Sequence, residues 1–269
     1  MKDNPPHRIL IFDSGIGGLS INDEIKQLVP DTAVTYVADN RIYPYGTLSE
    51  QALIERIARL FPRLIERFQP EAIVIACNSA STLVLDHLRE LTRIPVIGVV
   101  PAIKPAAQYS QSRVIGLLAT PGTVRRAYTD RLIQDFASHC RVIRVGSHEL
   151  VDQAENKLRG LAVDRAAIRR VIAPFLEEPA LDTIVLGCTH FPFLRQELNQ
   201  LLGDRVTLID SGQAIARRTD YILKTLPDRL QAHHTSADCF IFTRDNDSAH
   251  HLKPHLLERG FASVEFIDH

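Results

Sequence analysis

Short apolar runs alternate with amphipathic stretches along the whole chain. The runs fall at 8–12, 33–38, 72–77, 96–100, 113–119, 141–145, 183–188, 206–210, 239–243 and 264–267. They are rich in Val and Ile and apolar without alternation, the pattern of strands buried on both faces. Between them the spacing predicts helices over 18–29, 49–68, 79–92, 122–137, 147–160, 191–202, 211–226 and 247–258. Pro121 and Pro192 stand where a first helical turn tolerates proline. Strand–helix alternation of this kind predicts an α/β fold: mostly parallel sheets flanked by helices.

A faint internal repeat divides the pattern. "RILIFDSGIGG" at Arg8 and "RVIGLLATPGT" at Arg113 are both strands that run into a hydroxyl residue and then glycine. "IVIACNSAS" and "IVLGCTHFP" match at nearly the same offset, which aligns Cys77 with Cys188. The repeat predicts two similar α/β halves. Both cysteines then fall at the carboxyl ends of strands, where open α/β sheets bind ligands. Asn78-Ser79 and Thr189 follow them and suit the cap of a following helix, whose N-terminus favours a thiolate. One activated cysteine suggests a nucleophile. Two symmetric ones suggest a base on each side of one carbon.

Composition narrows the classes. Of 269 residues, 45% are apolar, and 31 basic against 32 acidic residues give a net charge of -1. That is a globular composition with no basic field for nucleic acid or an anionic membrane. The N-terminus shows no signal-peptide pattern, and no apolar run reaches the roughly 18 to 20 residues of a membrane span, so a cytoplasmic protein is expected. The four cysteines, Cys77, Cys140, Cys188 and Cys239, have neither zinc-like nor C-x-x-C spacing and read as free thiols. No metal site is expected. Cys140 and Cys239 start strands and read as structural.

Three further stretches bear on chemistry. Asp13-Ser14-Gly15-Ile16-Gly17-Gly18 lacks the lysine of a phosphate loop, and the dinucleotide glycine pattern fails at Ser20. Its glycines permit a tight turn. Asp13 is suited to hold an ammonium group or tune a thiol, or else caps a helix. The segment 38–49, with Pro44-Tyr45-Gly46, reads either as a plain turn or as a substrate lid. His190 is the best acid–base histidine; His233-His234 and His250-His251 read as solvent-facing.

Together, "FDSGIGGLS", "YVADNRIYPYG", "IACNSAS" and "VLGCTHFP" resemble the signature segments of the glutamate racemases, in order from about residue 8 to 226. The usual "CNTAS" is here "CNSAS", which keeps the hydroxyl. Aspartate racemases and maleate isomerases share the paired-cysteine plan. The resemblance implies two similar domains, 1–99 with 210–269 and 100–209, and a site in the cleft between them. It implies a racemase without cofactor that supplies D-glutamate for peptidoglycan. Cys77 then handles the proton of D-glutamate and Cys188 that of L-glutamate, assisted by Asp13 and His190 respectively. Asp13, Ser14, Tyr45, Gly46, Asn78, Ser79, Thr189 and His190 match substrate-contacting positions, and Thr120 resembles a further contact. Glu149 resembles another site carboxylate in a segment that departs from the family pattern. The resemblance also admits a muramoyl-precursor activator and a homodimer. The rival readings are an aspartate or other dicarboxylate enzyme on the same plan, and a non-catalytic module that binds a carboxylate or nucleotide.

Overall fold

The computed structural model describes residues 6–227 and 237–268. The chain divides into two compact units, Met1–Val99 with Gly212–His269, and Val100–Ser211. In the first unit, β1 (Arg8–Asp13), β2 (Ala33–Ala38), β3 (Ala72–Ile75), β4 (Val96–Gly98), β9 (Cys239–Phe242) and β10 (Ser263–Phe266) form one sheet. Its order is β10-β9-β2-β1-β3-β4, and every neighbouring pair is parallel. In the second unit, β5 (Val114–Ala119), β6 (Arg141–Gly146), β7 (Thr183–Leu186) and β8 (Thr207–Ile209) form a parallel sheet of order β6-β5-β7-β8. The order β2-β1-β3-β4 is thus repeated as β6-β5-β7-β8.

The repeat extends to register. Phe12 pairs with Ile75, and Leu118 pairs with Leu186. The next amide beyond the strand, Ala76 or Gly187, then donates to Phe12 O or Leu118 O at 2.7 Å in both units. Ser14 and Cys77 each lie two residues beyond the first pair; Thr120 and Cys188 lie two residues beyond the second. In each sheet this is where successive strands turn from one side of the first strand to the other. A ligand crevice opens at such a switch point.

Buried side chains explain the strands. β1 is almost wholly buried, and β3, β5 and β7 are buried throughout. The helix Glu50–Phe68 turns Leu53, Ile57, Leu60, Phe61 and Leu64 inward, spaced by three and four as one helical stripe. Ser49 caps it, accepting from Ala52 N at 3.2 Å. β6 departs from the both-faces-buried expectation. It is an edge strand paired only with β5, and Arg141 and Arg144 on it are exposed.

The helices depart from the sequence pattern in instructive places. The stretch 122–137 is two helices, Pro121–Arg125 and Ala127–Ala137, separated by extended Arg126. Thr129 Oγ1 donates to Thr123 O at 2.6 Å and satisfies a carbonyl released at the break. The stretch 191–202 opens as a 3₁₀ turn, Phe191–Leu194, and continues as Arg195–Leu202. Short helices at Ile103–Tyr109, Arg165–Val171 and Ala173–Leu176 were not legible in the periodicity. Among the described residues, no helix is long and apolar enough to cross a membrane.

Candidate active site

The first cluster lies at the end of β1 and β3. Asp13 is buried, and its carboxylate is fixed by the turn that follows. Oδ1 accepts from Ser14 Oγ at 3.1 Å and Gly15 N at 3.3 Å, while Oδ2 accepts from Gly18 N. Ser14 Oγ also lies 3.8 Å from Cys77 Sγ, so one hydroxyl connects the carboxylate to the thiol. Asp13 is not the cap of the following helix, whose N-cap is Gly18; its carboxylate instead braces the turn that leads into it. Tyr36 Oη donates to Gly15 O at 3.1 Å and holds the turn from below.

Gly18 is required by close approach. A Cβ there would lie 2.7 Å from Tyr36 Oη, 2.8 Å from Ala76 Cβ and 2.9 Å from Asp13 Oδ2. The Gly18→Ala methyl is too close to all three, so the turn or its neighbours must shift, and overpacking of this kind costs about 1–3 kcal/mol. Thermal or urea unfolding of the variant is expected to show that loss; an unchanged midpoint would mean that the turn yields freely.

Cys77 is the N-cap of the helix Asn78–Leu91, with its carbonyl accepting from Ser81 N at 2.8 Å. The sequence assigned the capping position to Asn78-Ser79. Both instead lie inside the first turn, because the strand ends at Ile75 and the chain turns directly at the cysteine. Cys77 is thus closer to the helix N-terminus than expected, where the amide dipoles favour negative charge. Asn78 Oδ1 is buried and has no hydrogen-bond partner among the described residues, an unmet acceptor of the kind a ligand satisfies. Ser79 is buried beside it.

Tyr45 and Gly46 lie in a short 3₁₀ turn, Tyr45–Thr47. The Tyr45 ring is buried in the same apolar cluster as Cys77, and its hydroxyl donates to Asp39 Oδ2 at 2.5 Å. Burial, then the adjoining Asp39 carboxylate, raises the Tyr45 hydroxyl well above its ordinary value. The phenol is committed inward. What this turn can offer a ligand is the backbone of Tyr45 and Gly46.

The second cluster lies at the end of β5 and β7. Cys188 is buried, and its Sγ lies 3.8 Å from His190 Nδ1. His190 Nε2 lies 3.1 Å from Glu155 Oε1, and Arg159 donates to Glu155 Oε2 at 2.6 Å. Burial alone would lower His190, but the hydrogen bonds and charges of Cys188 and Glu155 raise it well above the ordinary histidine value. Burial likewise pushes Glu155 up, but His190 and then Arg159 outweigh it and hold the carboxyl at about 2. A histidine backed by a carboxylate is therefore set beside the thiol. The group after Cys188 is a 3₁₀ turn whose N-cap is His190, so Thr189 does not cap a helix as expected. Thr189 is buried, as are Cys188 and His190 on either side of it. Thr120 caps the helix Pro121–Arg125, accepting from Thr123 N at 3.3 Å.

Glu155 was missed in the sequence, where Glu149 drew the comparison. Glu149 is exposed and pairs with Arg170 at 3.0 Å. Glu155 lies further along the same helix, on the face that buries Leu150, Val151 and Ala154. A carboxylate falling on an apolar stripe was the available signal. The other thiols are unactivated. Burial pushes Cys239 up to about 11, and Cys140 is raised by burial too. His250 and His251 are exposed, whereas His233-His234 lie outside the described residues.

Known proteins with this arrangement follow from comparison. A family model described as Asp/Glu/Hydantoin racemase matches residues 20–219. The glutamate racemase of Shewanella woodyi is 48% identical over 258 residues, 95% of this chain and 96% of that one. That of Shewanella piezotolerans is 51% identical over 258 residues, 96% of each chain. The crystal structure of Escherichia coli glutamate racemase in complex with L-glutamate and the activator UDP-MurNAc-Ala superposes with a TM-score of 0.93 at 44% identity, covering 98% of both chains.

Proposed function

The chain belongs to the Asp/Glu/hydantoin racemase family and is an isomerase, and from that premise we propose that it interconverts L- and D-glutamate through two cysteines and no cofactor. The observation that carries the mechanism is the duplicated placement of Cys77 and Cys188. Each lies two residues beyond the equivalent strand pairing, and each has its own acid–base partners.

In this reading a thiolate takes the α-proton from one face of the substrate, and the electron pair of the C–H bond stays on carbon. The opposite thiol then gives its proton to the other face. One thiolate and one thiol are present before and after, so nothing is consumed. Cys77 serves the D-enantiomer, with Asp13 and Ser14 behind it; Cys188 serves the L-enantiomer, with His190 behind it. Charge that develops toward the substrate carboxylate requires preorganised donors. Ser14, Asn78, Ser79 and Thr189 are the groups at hand, with Thr120 and the backbone of Tyr45–Gly46 as further contacts. The product, D-glutamate, would serve peptidoglycan synthesis in the cytoplasm. The activator bound to the Escherichia coli enzyme supports a similar muramoyl nucleotide as a stimulator here.

Purified protein dialysed against a chelator should racemise glutamate with kcat/KM well over tenfold above that for aspartate. One methylene in a fitted pocket is worth about 1 to 3 kcal/mol, or roughly 10- to 200-fold. Aspartate turnover equal to or faster than glutamate would reject the substrate. Activity restored only by a metal or pyridoxal phosphate would remove the two-thiol reaction.

A further inference from the structure

The two units share a strand order but differ in the residue that follows the second strand. Asp39 N donates to Asp13 O at 2.8 Å, and in the equivalent place Ser147 N donates to Ala119 O at 2.9 Å. Ser147 does no more than start a helix, its Oγ accepting from Leu150 N at 3.1 Å. Asp39 does something different. Its carboxylate is wholly buried, yet four donors reach it: Tyr45 Oη at 2.5 Å, Arg56 Nε at 2.9 Å, Arg56 Nη2 at 2.6 Å and Thr243 Oγ1 at 2.5 Å.

These donors come from three separate segments: the 3₁₀ turn, the long helix Glu50–Phe68, and the residue just after β9. Thr243 is itself fully buried and spends both roles of its hydroxyl here, accepting from Arg41 N at 3.3 Å while donating to Asp39. Thr243 N donates to Ala38 O at 3.1 Å. Asn40 and Arg244 exchange two further bonds, each 2.9 Å. The chain leaving β2 is therefore clamped to the chain leaving β9, and Tyr45 is clamped to both through one carboxylate.

Packing does not require this. The Tyr45 ring already lies in the core, its centroid 6.3 Å from that of Phe12, and a phenylalanine would bury equally well. A buried carboxylate–guanidinium pair gains little over apolar side chains of the same volume, so what it provides is placement. We propose that Asp39 is a positioning residue for the substrate turn: with Arg56 and Thr243 it anchors the Tyr45 hydroxyl and so fixes the backbone of Tyr45 and Gly46. The consequence for catalysis rests on the reading above, in which that backbone borders bound glutamate. The clamp also makes the turn depend on the C-terminal return of the chain, since Thr243 belongs to it.

Tyr45→Phe removes the anchoring hydroxyl alone and leaves Asp39 paired with Arg56. Thr243→Val removes the other tether. In the full-length protein, hydrogen exchange of the amides of 43–48 should become about tenfold faster in either variant, the scale of a lost hydrogen bond to a charged group. KM for both glutamate enantiomers should rise by about the same factor, with kcat changed far less. Leu64→Val, which loosens the same apolar cluster without touching the network, should leave KM in place and controls for general destabilisation. Unchanged exchange at 43–48 in Tyr45→Phe overturns the clamp whatever the enzyme turns over. Faster exchange with KM unmoved, in a protein that racemises glutamate, overturns its role in substrate binding. Faster exchange in a wild type that fails to racemise glutamate keeps the clamp and removes the substrate reading instead.

Discussion

Cys188→Ser is expected to lose racemisation and yet still eliminate from the D-form of a glutamate analogue with a β-leaving group, while Cys77→Ser does the reverse. Racemisation needs both a base and an acid, and a positioned group of either kind is worth roughly 10²- to 10⁴-fold. A serine hydroxyl is too weak an acid to stand in for a thiol near neutral pH. Elimination needs only one deprotonation: the C–H bond breaks, a C=C bond forms, and the leaving group departs with its electron pair. The remaining cysteine can do that for the enantiomer whose α-hydrogen faces it. Elimination is the right readout for a further reason. L- and D-glutamate have equal free energy, so kcat/KM for racemisation must be equal in the two directions for every variant, and steady-state rates conceal which half is damaged. Irreversible elimination escapes that constraint. The same enantiomer preferred by both variants, or near-wild-type racemisation by either, would sink the two-base mechanism. Both side chains are buried and the substitution is nearly isosteric, so folding should survive.

Much of this arrangement was legible in the sequence because buried parallel strands advertise themselves as short Val/Ile runs. Phe12, Ile75, Leu118 and Leu186 belong to such runs, and Cys77 and Cys188 stood out because the runs stop there. What was not legible depends on contacts distant in sequence. Glu155 reaches His190 across 35 positions, and a carboxylate at a helical spacing carries no mark of the histidine it will meet. Asp39 is tied to Thr243 across 204 positions, and nothing local distinguishes it from a strand-end aspartate that simply faces water. Tyr45 matched a substrate-contacting position, and the sequence did not show which part of it faces where; its hydroxyl is turned to Asp39, which receives it. The caps were misplaced by one residue for a local reason. The strand ends at Ile75 and only Ala76 separates it from the cap, so the connection is too short for Asn78 or Ser79 to cap and Cys77 itself takes that position.

Glu155→Gln is expected to reduce racemisation of both enantiomers by about 10²-fold or more, the scale seen when an acid–base group loses the carboxylate that orients it. The amide keeps the shape of Glu155 but not the charge that, together with the hydrogen bonds of Cys188 and Glu155, raises His190 above its ordinary value. Because the two directions must slow equally, the asymmetry is sought in isotope effects. With α-deuterated substrate, the proposed assignment of Cys188 to L-glutamate and Cys77 to D-glutamate requires the effect on kcat/KM to rise for L-glutamate and fall for D-glutamate. Elimination should follow suit, slowed for the L-analogue and retained for the D-analogue. Equal isotope effects for the two enantiomers would mean that Glu155 serves the fold rather than the Cys188 half. Stability against pH provides a second check. Glu155 is depressed from 4.5 to about 2, so its contribution is present above 4.5 and is lost as pH falls toward 2. His190 is raised above 6.5, so its contribution is full below 6.5 and is lost only as pH climbs through its higher folded value. Both contributions are therefore full between 4.5 and 6.5. Glu155→Gln should flatten the acid limb of the unfolding midpoint below pH 4.5, because the group that titrates there is gone. An acid limb identical to that of the wild type would place the buried charge elsewhere and take the His190–Glu155 pair out of the mechanism.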